Sequence, residues 1–400
     1  MLFESLFMRK LASLEASGRL PLAIELWNGK RFAPRGIAPV TLRVLRAAAK
    51  RLADADLGAL GAAYVEGELD IVGPIDEAFR AAEKLARATG KAALGHLPRL
   101  GRHSRRSDRE AIRYHYDVSD DFYRLWLDRR MVYSCAYFKT GEEDIDAAQV
   151  QKLDHICRKL RLAPGDRFLD VGCGWGALVL HAARHYGVKA TGVTLSENQF
   201  RSARERVHEA GLEDRCDVRL QDYREIPGEG VFDRIASVGM FEHVGLKNLP
   251  VYFAAIARLL APGGVALNHG ITSVDPDGRE VGLGAGEFID KYVFPDGELP
   301  HLSLVLREMA QAGLEVMDVE TLRLHYARTL RHWSERLEAR LDAARALAGE
   351  KRARIWRLYL AGCAHAFERN WVTIHQVLAA KPADPARNPL PWTRAYMYPG

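Results

Sequence analysis

Phe168-Leu-Asp-Val-Gly-Cys-Gly-Trp-Gly176 is a short apolar run that breaks into alternating glycines, after which Ala177-Leu-Val-Leu180 resumes the apolar pattern. The reading is a strand, a glycine-rich turn and the start of a helix, so that backbone lacking Cβ atoms can approach a ligand. A dinucleotide-binding turn would carry G-x-G-x-x-G; here Asp170 leads the spacing D-x-G-x-G-x-G. Working outward, further strands are predicted at Ala190–Val193, Asp217–Leu220, Arg234–Val238 and Val265–Asn268, after a first strand at Arg167–Val171. Helices are predicted near 177–186, 197–210 and 249–260, and before them over about 147–161, where Val150, Leu153, Ile156, Cys157 and Leu160 recur at helical spacing. Strands alternating with helices argue a parallel sheet with crossover helices, and their apolar character argues cover on both faces. Pro262-Gly-Gly264 breaks the chain before the fifth strand. Segment 274–300, rich in Gly, Asp and Pro, reads as a long loop over the site. Residues 328–379 read as helical, with Leu330, Trp333, Leu337 and Leu341 on one face.

The chain has 400 residues, more than one core usually organises, so two domains are expected. Residues 1–95 read as a small, mostly helical N-terminal domain, 96–110 as a basic linker, and 111–400 as the catalytic domain. Net charge is +5, and it is uneven: residues 1–110 hold 19 Lys and Arg against 13 Asp and Glu, the rest 38 against 39. The densest basic stretch is His96-Leu-Pro-Arg-Leu-Gly-Arg-His-Ser-Arg-Arg-Ser-Asp-Arg109. It suits a solvated linker or an anionic lipid surface. No aromatic interleaving accompanies it, so no nucleic-acid partner is expected. There is no apolar run long enough to span a bilayer, and the basic residues Arg9 and Lys10 follow an apolar start, the reverse of a secretory signal. A cytoplasmic protein is expected. Five cysteines without a C-x-x-C pair indicate neither a disulfide framework nor a metal site.

The spacing that starts at Asp170 resembles the methyltransferase fingerprint, and more motifs narrow the likeness. In order they are His115-Tyr-Asp-Val-Ser119, Tyr133-Ser-Cys-Ala-Tyr-Phe138, Leu169–Gly176, Gly192-Val-Thr-Leu-Ser196, Ser237-Val-Gly-Met-Phe-Glu-His-Val-Gly245 and Lys291-Tyr-Val-Phe-Pro295. Across about residues 110–380 the chain resembles the cyclopropane fatty acid synthases, including the mycolic acid cyclopropane synthases. Leu60-Gly-Ala-Ala-Tyr-Val-Glu-Gly-Glu-Leu-Asp70 looks like the small N-terminal domain of the phospholipid-acting members. The resemblance implies a Rossmann-like class I S-adenosylmethionine-dependent methyltransferase fold, α/β in class, with a C-terminal helical lid. It implies cofactor contacts from Tyr133, Ser134, Asp170, Gly172, Gly174, Gly176, Thr194, Gln199 and Tyr223. Thr194 stands where most enzymes of the fold carry an acid for the ribose hydroxyls, a departure shared by this family. Tyr223 stands where the family often has Trp.

The implied reaction is transfer of a methylene group from S-adenosylmethionine to the double bond of an unsaturated acyl chain in a membrane phospholipid. An alkene is a poor nucleophile, so correct positioning is worth roughly 7–11 kcal/mol. Methyl transfer leaves a carbocation, water must be kept away, and a base must take a proton from the new methyl before the ring closes. In the family that base is bicarbonate, and its ligands map to Cys135, Glu242, His269, Ile271 and Tyr326. His269 and Tyr326 donate side-chain protons, Cys135 and Ile271 serve through backbone groups, and Glu242 accepts the bicarbonate O–H. Cys363 matches a cysteine treated as a family active-site residue, although the chemistry needs no thiolate. His243 reads as structural. Burying about ten methylenes is worth roughly 8 kcal/mol, comparable with the cost of extraction, so the enzyme is expected at the inner face of the membrane as a peripheral protein. A homodimer is compatible with the family. The alternative within the family is a fatty-acyl C-methyltransferase that makes methyl- or methylene-branched lipids.

Overall fold

The computed structural model describes residues 2–48, 57–88, 119–277, 285–294, 297–384 and 390–398. The basic stretch 96–110, His115–Val118 and Pro295 lie outside the described residues. The chain divides into two compact units.

Unit 2 comprises residues 99–278, 296–332 and 372–400 and is built on a seven-stranded sheet. Its strands are β5 (Arg167–Val171), β6 (Lys189–Thr194), β7 (Cys216–Leu220), β8 (Phe232–Val238), β9 (Leu260–Ser273), β10 (Glu315–Thr321) and β11 (Val372–Ala380), in the order 10-11-9-8-5-6-7. The five strands β7, β6, β5, β8 and β9 run parallel, while β11 is antiparallel to both its neighbours, β9 and β10. Successive residues go to opposite sides. Phe168, Leu267 and Leu378 join one apolar cluster, and Leu169, Ala266 and Val377 join the other. A sheet covered on both faces follows, as the apolar strands require. The sheet order reverses direction at β5, between β6 and β8, and ligands of such sheets bind beyond the carboxyl ends at that switch point.

The helices are α1 (Leu2–Ala16), α2 (Leu57–Val65), α3 (Ile75–Ala88), α4 (Asp120–Arg124), α5 (Ile145–Lys159), α6 (Ala177–Tyr186), α7 (Glu197–Glu209), α8 (Leu249–Leu259), α9 (Ala285–Tyr292), α10 (Leu302–Gln311), α11 (Arg323–Glu338), α12 (Leu341–Ala348) and α13 (Glu350–Glu368). Two expectations need correction. Residues 372–380, read as helical, form β11, whose apolar residues face both clusters and so lack a strand-like alternation. The segment 274–300, read as loop, contains α9.

Unit 1 gathers residues 1–98, 279–295 and 333–371. Among its described residues helices outnumber strands, and it also holds a four-stranded sheet in the order β2 (Arg31–Phe32), β1 (Ala23–Leu26), β3 (Thr41–Val44), β4 (Leu69–Val72). Strands of two to four residues are too short for their period to be read. The stretch Leu60–Asp70 meets α13: Arg354 donates to the Tyr64 carbonyl at 3.0 Å, and Lys351 donates to Glu66 at 2.9 Å. Gly61 lies against Phe288 of α9, and Tyr292 donates to Glu66 at 3.4 Å. Among the described residues no helix is long and apolar enough to cross a membrane.

Candidate functional site

β5 ends in the turn that the sequence marks. Gly172 has φ 83°, and its amide donates to the Val193 carbonyl at 2.9 Å, which ties the turn to β6. A Cβ here would also lie 2.9 Å from the Met240 side chain, so glycine is required twice over. Around this turn a pocket opens in unit 2, lined from the ends of β5, β6 and β8, from 131–134, and from Gln221, Tyr223 and Arg224. Tyr133, Ser134, Asp170, Gly172, Gly174, Thr194, Gln199 and Tyr223 all line it, as the sequence leads one to expect. Gly176 does not. It is the N-cap of α6 at φ 81°, and a Cβ there would meet Ala203 at 3.2 Å, so it serves the packing of α7 on the turn.

The remaining walls follow from local structure. Asp128 accepts from Val132 N at 2.7 Å and Arg130 N at 2.9 Å, which curls the chain through Met131 (φ 57°) and presents Tyr133 and Ser134. Tyr133 packs in an aromatic group with Tyr123 and Trp126. Thr194 donates to Gln199 Oε1 at 2.9 Å, and Ser196 caps α7, so the two pocket residues brace each other. Tyr223 stands edge-on to Tyr252. Asp170 is buried, and burial pushes its carboxyl up to about 7 against the pull of Lys152; its Oδ1 has no hydrogen-bond partner among the described residues. His243, read as structural, also lines the pocket, as do Lys152, Trp175, Gln221 and Arg224, which the sequence did not mark. Lys152 escaped because a lysine within an amphipathic helix reads as solvent-facing.

A second group of residues lies at the ends of β8 and β9. The Gly239 amide donates to the His269 carbonyl at 2.8 Å, and the one-turn helix Phe241–His243 follows. Gly270 of β9 leaves the space that the buried Phe241 ring occupies. That fit seats the turn so that Glu242 Oε1 accepts from Ile271 N at 2.8 Å. The amide of Ile271 is therefore committed to holding Glu242. Glu242 Oε2 is buried without a partner among the described residues, and burial pushes the carboxyl up to about 7. His269, two residues from Ile271 on the same strand, faces Gln376 of β11, whose Nε2 lies 3.1 Å from the ring Nδ1. With that amide nitrogen donating, the ring proton sits on Nε2, which is also buried and has no partner among the described residues. Burial drives His269 well below its ordinary range, so the ring is neutral.

Cys135 and Tyr326 converge on one carbonyl. Leu322 O accepts from Tyr326 N at 3.0 Å and from Cys135 Sγ at 3.9 Å, and Leu322 N donates to Ile374 O at 2.9 Å, opposite Ile271 in the β9–β11 register. Five of the six expected catalytic residues are thus linked through β9 and β11 within unit 2. Cys363 belongs to α13 in unit 1, where burial pushes its thiol up to about 12. Burial likewise pushes the Cys135 thiol up.

The comparisons with known proteins agree with this architecture. A "Probable fatty acid methyltransferase" of Pseudomonas putida is 52% identical over 380 residues, covering 95% of this chain and 96% of that one. "Cyclopropane-fatty-acyl-phospholipid synthase" of Escherichia coli is 40% identical over 270 residues, covering 67% and 66%. The solved cyclopropane synthase MmaA2 of Mycobacterium tuberculosis is 35% identical with a TM-score of 0.65, covering 68% of this chain and 98% of its own. Mycolic acid cyclopropane synthase CmaA1 complexed with SAH and CTAB is 36% identical with the same TM-score and the same coverage. In fold alone the likeness reaches a coclaurine N-methyltransferase bound to SAH, at 24% identity and a TM-score of 0.62. Residues 103–377 match the family described as mycolic acid cyclopropane synthetase. A glycine turn led by Asp170, the switch-point pocket around it and a match across most of the chain converge on one statement: this protein belongs to the cyclopropane synthase family of S-adenosylmethionine-dependent methyltransferases.

Proposed function

We propose that the chain is a cyclopropane fatty acid synthase acting on an unsaturated acyl chain of a membrane phospholipid, with bicarbonate held by Glu242 and His269. The observation that carries the reading is the pair of buried, unpartnered atoms Glu242 Oε2 and His269 Nε2, one an acceptor and the other a donor. A single anion that bears both a proton and bare oxygens suits such a pair, whereas a fully deprotonated anion would be repelled by the carboxylate. When bound, bicarbonate supplies a base that does not compete as a carbon nucleophile. The protein's own part is positional. Ile271 N fixes Glu242, Gln376 fixes the tautomer of His269, and the buried surroundings keep water from the cationic carbon. Tyr326, buried on the first turn of α11, and the backbone of Cys135 complete the set. Cys363 has no step in this scheme.

A second reading has its own support: the relatives at 52% and at 47% identity, the latter from Mycobacterium tuberculosis, both carry the name probable fatty acid methyltransferase. A branching enzyme shares the cation and differs in which proton leaves. Cyclopropane and exomethylene products have the same mass, so the test is chemical. Incubation with S-adenosylmethionine and unsaturated phospholipid vesicles should give a lipid that resists ozonolysis and shows upfield cyclopropane protons. Removal of dissolved bicarbonate should slow its formation. Cleavage of the product to a ketone rejects ring closure in favour of branching.

The lipid is reached at the membrane surface in this proposal, with the basic stretch 96–109 attracted to anionic headgroups at about 1 kcal/mol per residue. Binding to anionic vesicles should then weaken with salt, because exposed charges are screened over about 8–10 Å.

A further inference from the structure

Two lysines of α5 are fully buried, Lys152 at 2% and Lys159 at 0% exposure, and the protein treats them differently. A buried ammonium is costly unless an anion answers it. Lys159 is answered: its Nζ lies 2.5 Å from Glu320 and 3.8 Å from Asp318. Lys152 is not. Its one hydrogen bond among the described residues goes to the neutral Ser134 hydroxyl, at 2.9 Å. Asp128 and Asp170 are close enough to favour its charged form, yet neither takes a hydrogen bond from it. Asp128 spends its oxygens on Val132 and Arg130, and Asp170 Oδ1 has no partner. Two N–H groups of Lys152 therefore have no acceptor among the described residues, and Lys152, Ser134 and Asp170 line the same pocket.

One wall of the pocket thus offers an unanswered cation beside an unanswered acceptor, the complement of an α-amino acid zwitterion. We propose that Lys152 is a cofactor-recognition residue whose ammonium binds the α-carboxylate of S-adenosylmethionine, while Asp170 takes the α-ammonium and the Ser134 hydroxyl holds Lys152 in place. The proposal rests on the reading that the cofactor's amino-acid end lies at Asp170. It explains why a lysine is tolerated at this depth: its counter-charge arrives with the ligand. A compact ammonium also suits a carboxylate in so confined a place.

The test is calorimetric titration of the full chain with S-adenosylhomocysteine and with its decarboxylated analogue, which keeps the amine and lacks the carboxylate. Wild type should prefer S-adenosylhomocysteine by about 30-fold or more, the range of a buried charge pair. Lys152→Met should lose about 30–100-fold toward S-adenosylhomocysteine and leave the analogue within about 3-fold, so that the preference collapses. Asp170→Asn should weaken both ligands together. Equal loss of both ligands in Lys152→Met, or no loss, overturns the role of Lys152 alone. A wild-type protein that binds neither ligand overturns the pocket reading and this proposal with it.

Should Lys152→Met fail to fold, proton uptake by the wild type decides. Burial pushes Lys152 down to about 8, and the ionisable groups that face it are Asp128, Cys135, Cys157, Asp170, His181 and His269. At pH 9 the free residue is mostly neutral, and a bound carboxylate restores its proton. S-adenosylhomocysteine should then take up more protons than the decarboxylated analogue, after subtraction of the titration of each ligand's own amine. Equal uptake for the two ligands rejects the assignment.

Discussion

Unit 2 gathers its candidate site at the ends of strands and in the turns that follow them, whereas unit 1 joins polar groups of helices far apart in the chain. In unit 2 Asp170 lies near the end of β5 just before the turn at Gly172, Thr194 ends β6 with Gln199 on the helix that follows, and the turn after β8 supplies Glu242. In unit 1, Tyr64 of α2 receives Arg357 of α13 at 2.9 Å, and Glu83 of α3 receives His365 at 3.0 Å and Arg369 at 2.9 Å. The first arrangement concentrates unsatisfied polar atoms at one end of a rigid sheet. The second pairs its buried ionic groups with one another. Unit 2 also pairs ions, Lys159 with Glu320 and Asp318, so what marks the division between candidate site and support is the set of atoms at its strand ends left without a partner among the described residues, Asp170 Oδ1, Glu242 Oε2 and His269 Nε2.

The largest effect expected along this division is in Glu242→Gln. The amide keeps the bond from Ile271 but presents N–H where an acceptor is needed, so turnover should fall about 10²–10³-fold. S-adenosylhomocysteine affinity should stay within about 3-fold. Near-normal turnover would break the assignment of Glu242 to the reacting end.

Gly270→Ala comes next. Its Cβ would collide with the buried Phe241 ring, and displacement of that turn should cost about 2–4 kcal/mol in stability, together with activity. Denaturant unfolding checks the first effect. An unaffected midpoint would show that the turn moves freely and does not seat Glu242.

The same Glu242→Gln variant sharpens the comparison through pH. The Glu242 carboxyl is raised by burial from the usual carboxylate range to about 7, so the fold prefers its protonated form. Wild type bears no cost from this group below about pH 4.5, a growing cost from there to 7, and the full cost above. The variant should therefore be more stable than wild type at pH 8, by about 1–3 kcal/mol, and equal to it near pH 4.5. A stability difference that does not change with pH contradicts a buried, unpaired carboxylate.

The smallest effect belongs to unit 1. Arg357→Met removes the partner of Glu338 and of the Tyr64 hydroxyl, and Glu338 is partly exposed, so water recovers some of the loss. About 1–2 kcal/mol of stability should disappear, with ligand affinity unchanged. A selective loss of S-adenosylhomocysteine binding would show that the division between the units is false.

The same contrast explains what could be read in the sequence. The cofactor turn was legible because Asp170, Gly172 and Gly174 lie within one strand–turn–helix and each residue type answers a local demand. Glu242 is found through its motif, and His269, Ile271 and Tyr326 through a looser likeness of the residues around them. Gln376 and Lys152 were missed because their roles come from pairing across strands and helices, which leaves no local pattern. β11 was misread since its residues are apolar on both faces, and α9 was hidden by the turn-rich composition around it. The sheet of unit 1 was missed because its strands are only two to four residues long.

The place of β11 in the sheet bears on how a cell makes this enzyme. The chain leaves the sheet at Leu322, travels through α11, α12 and α13, and returns at Val372 to insert between β9 and β10, with Leu322 N bound to Ile374 O. On the ribosome the cofactor turn emerges early, with every residue of that turn already made. Gln376 is made long after His269, so His269 lacks this partner until β11 has been synthesised. A nascent or truncated chain that stops before Val372 carries the glycine turn at Asp170 and lacks the strand whose Gln376 meets His269. The sheet is therefore completed by a strand distant in sequence from its neighbours on both sides, a non-local pairing of the kind that forms after local structure.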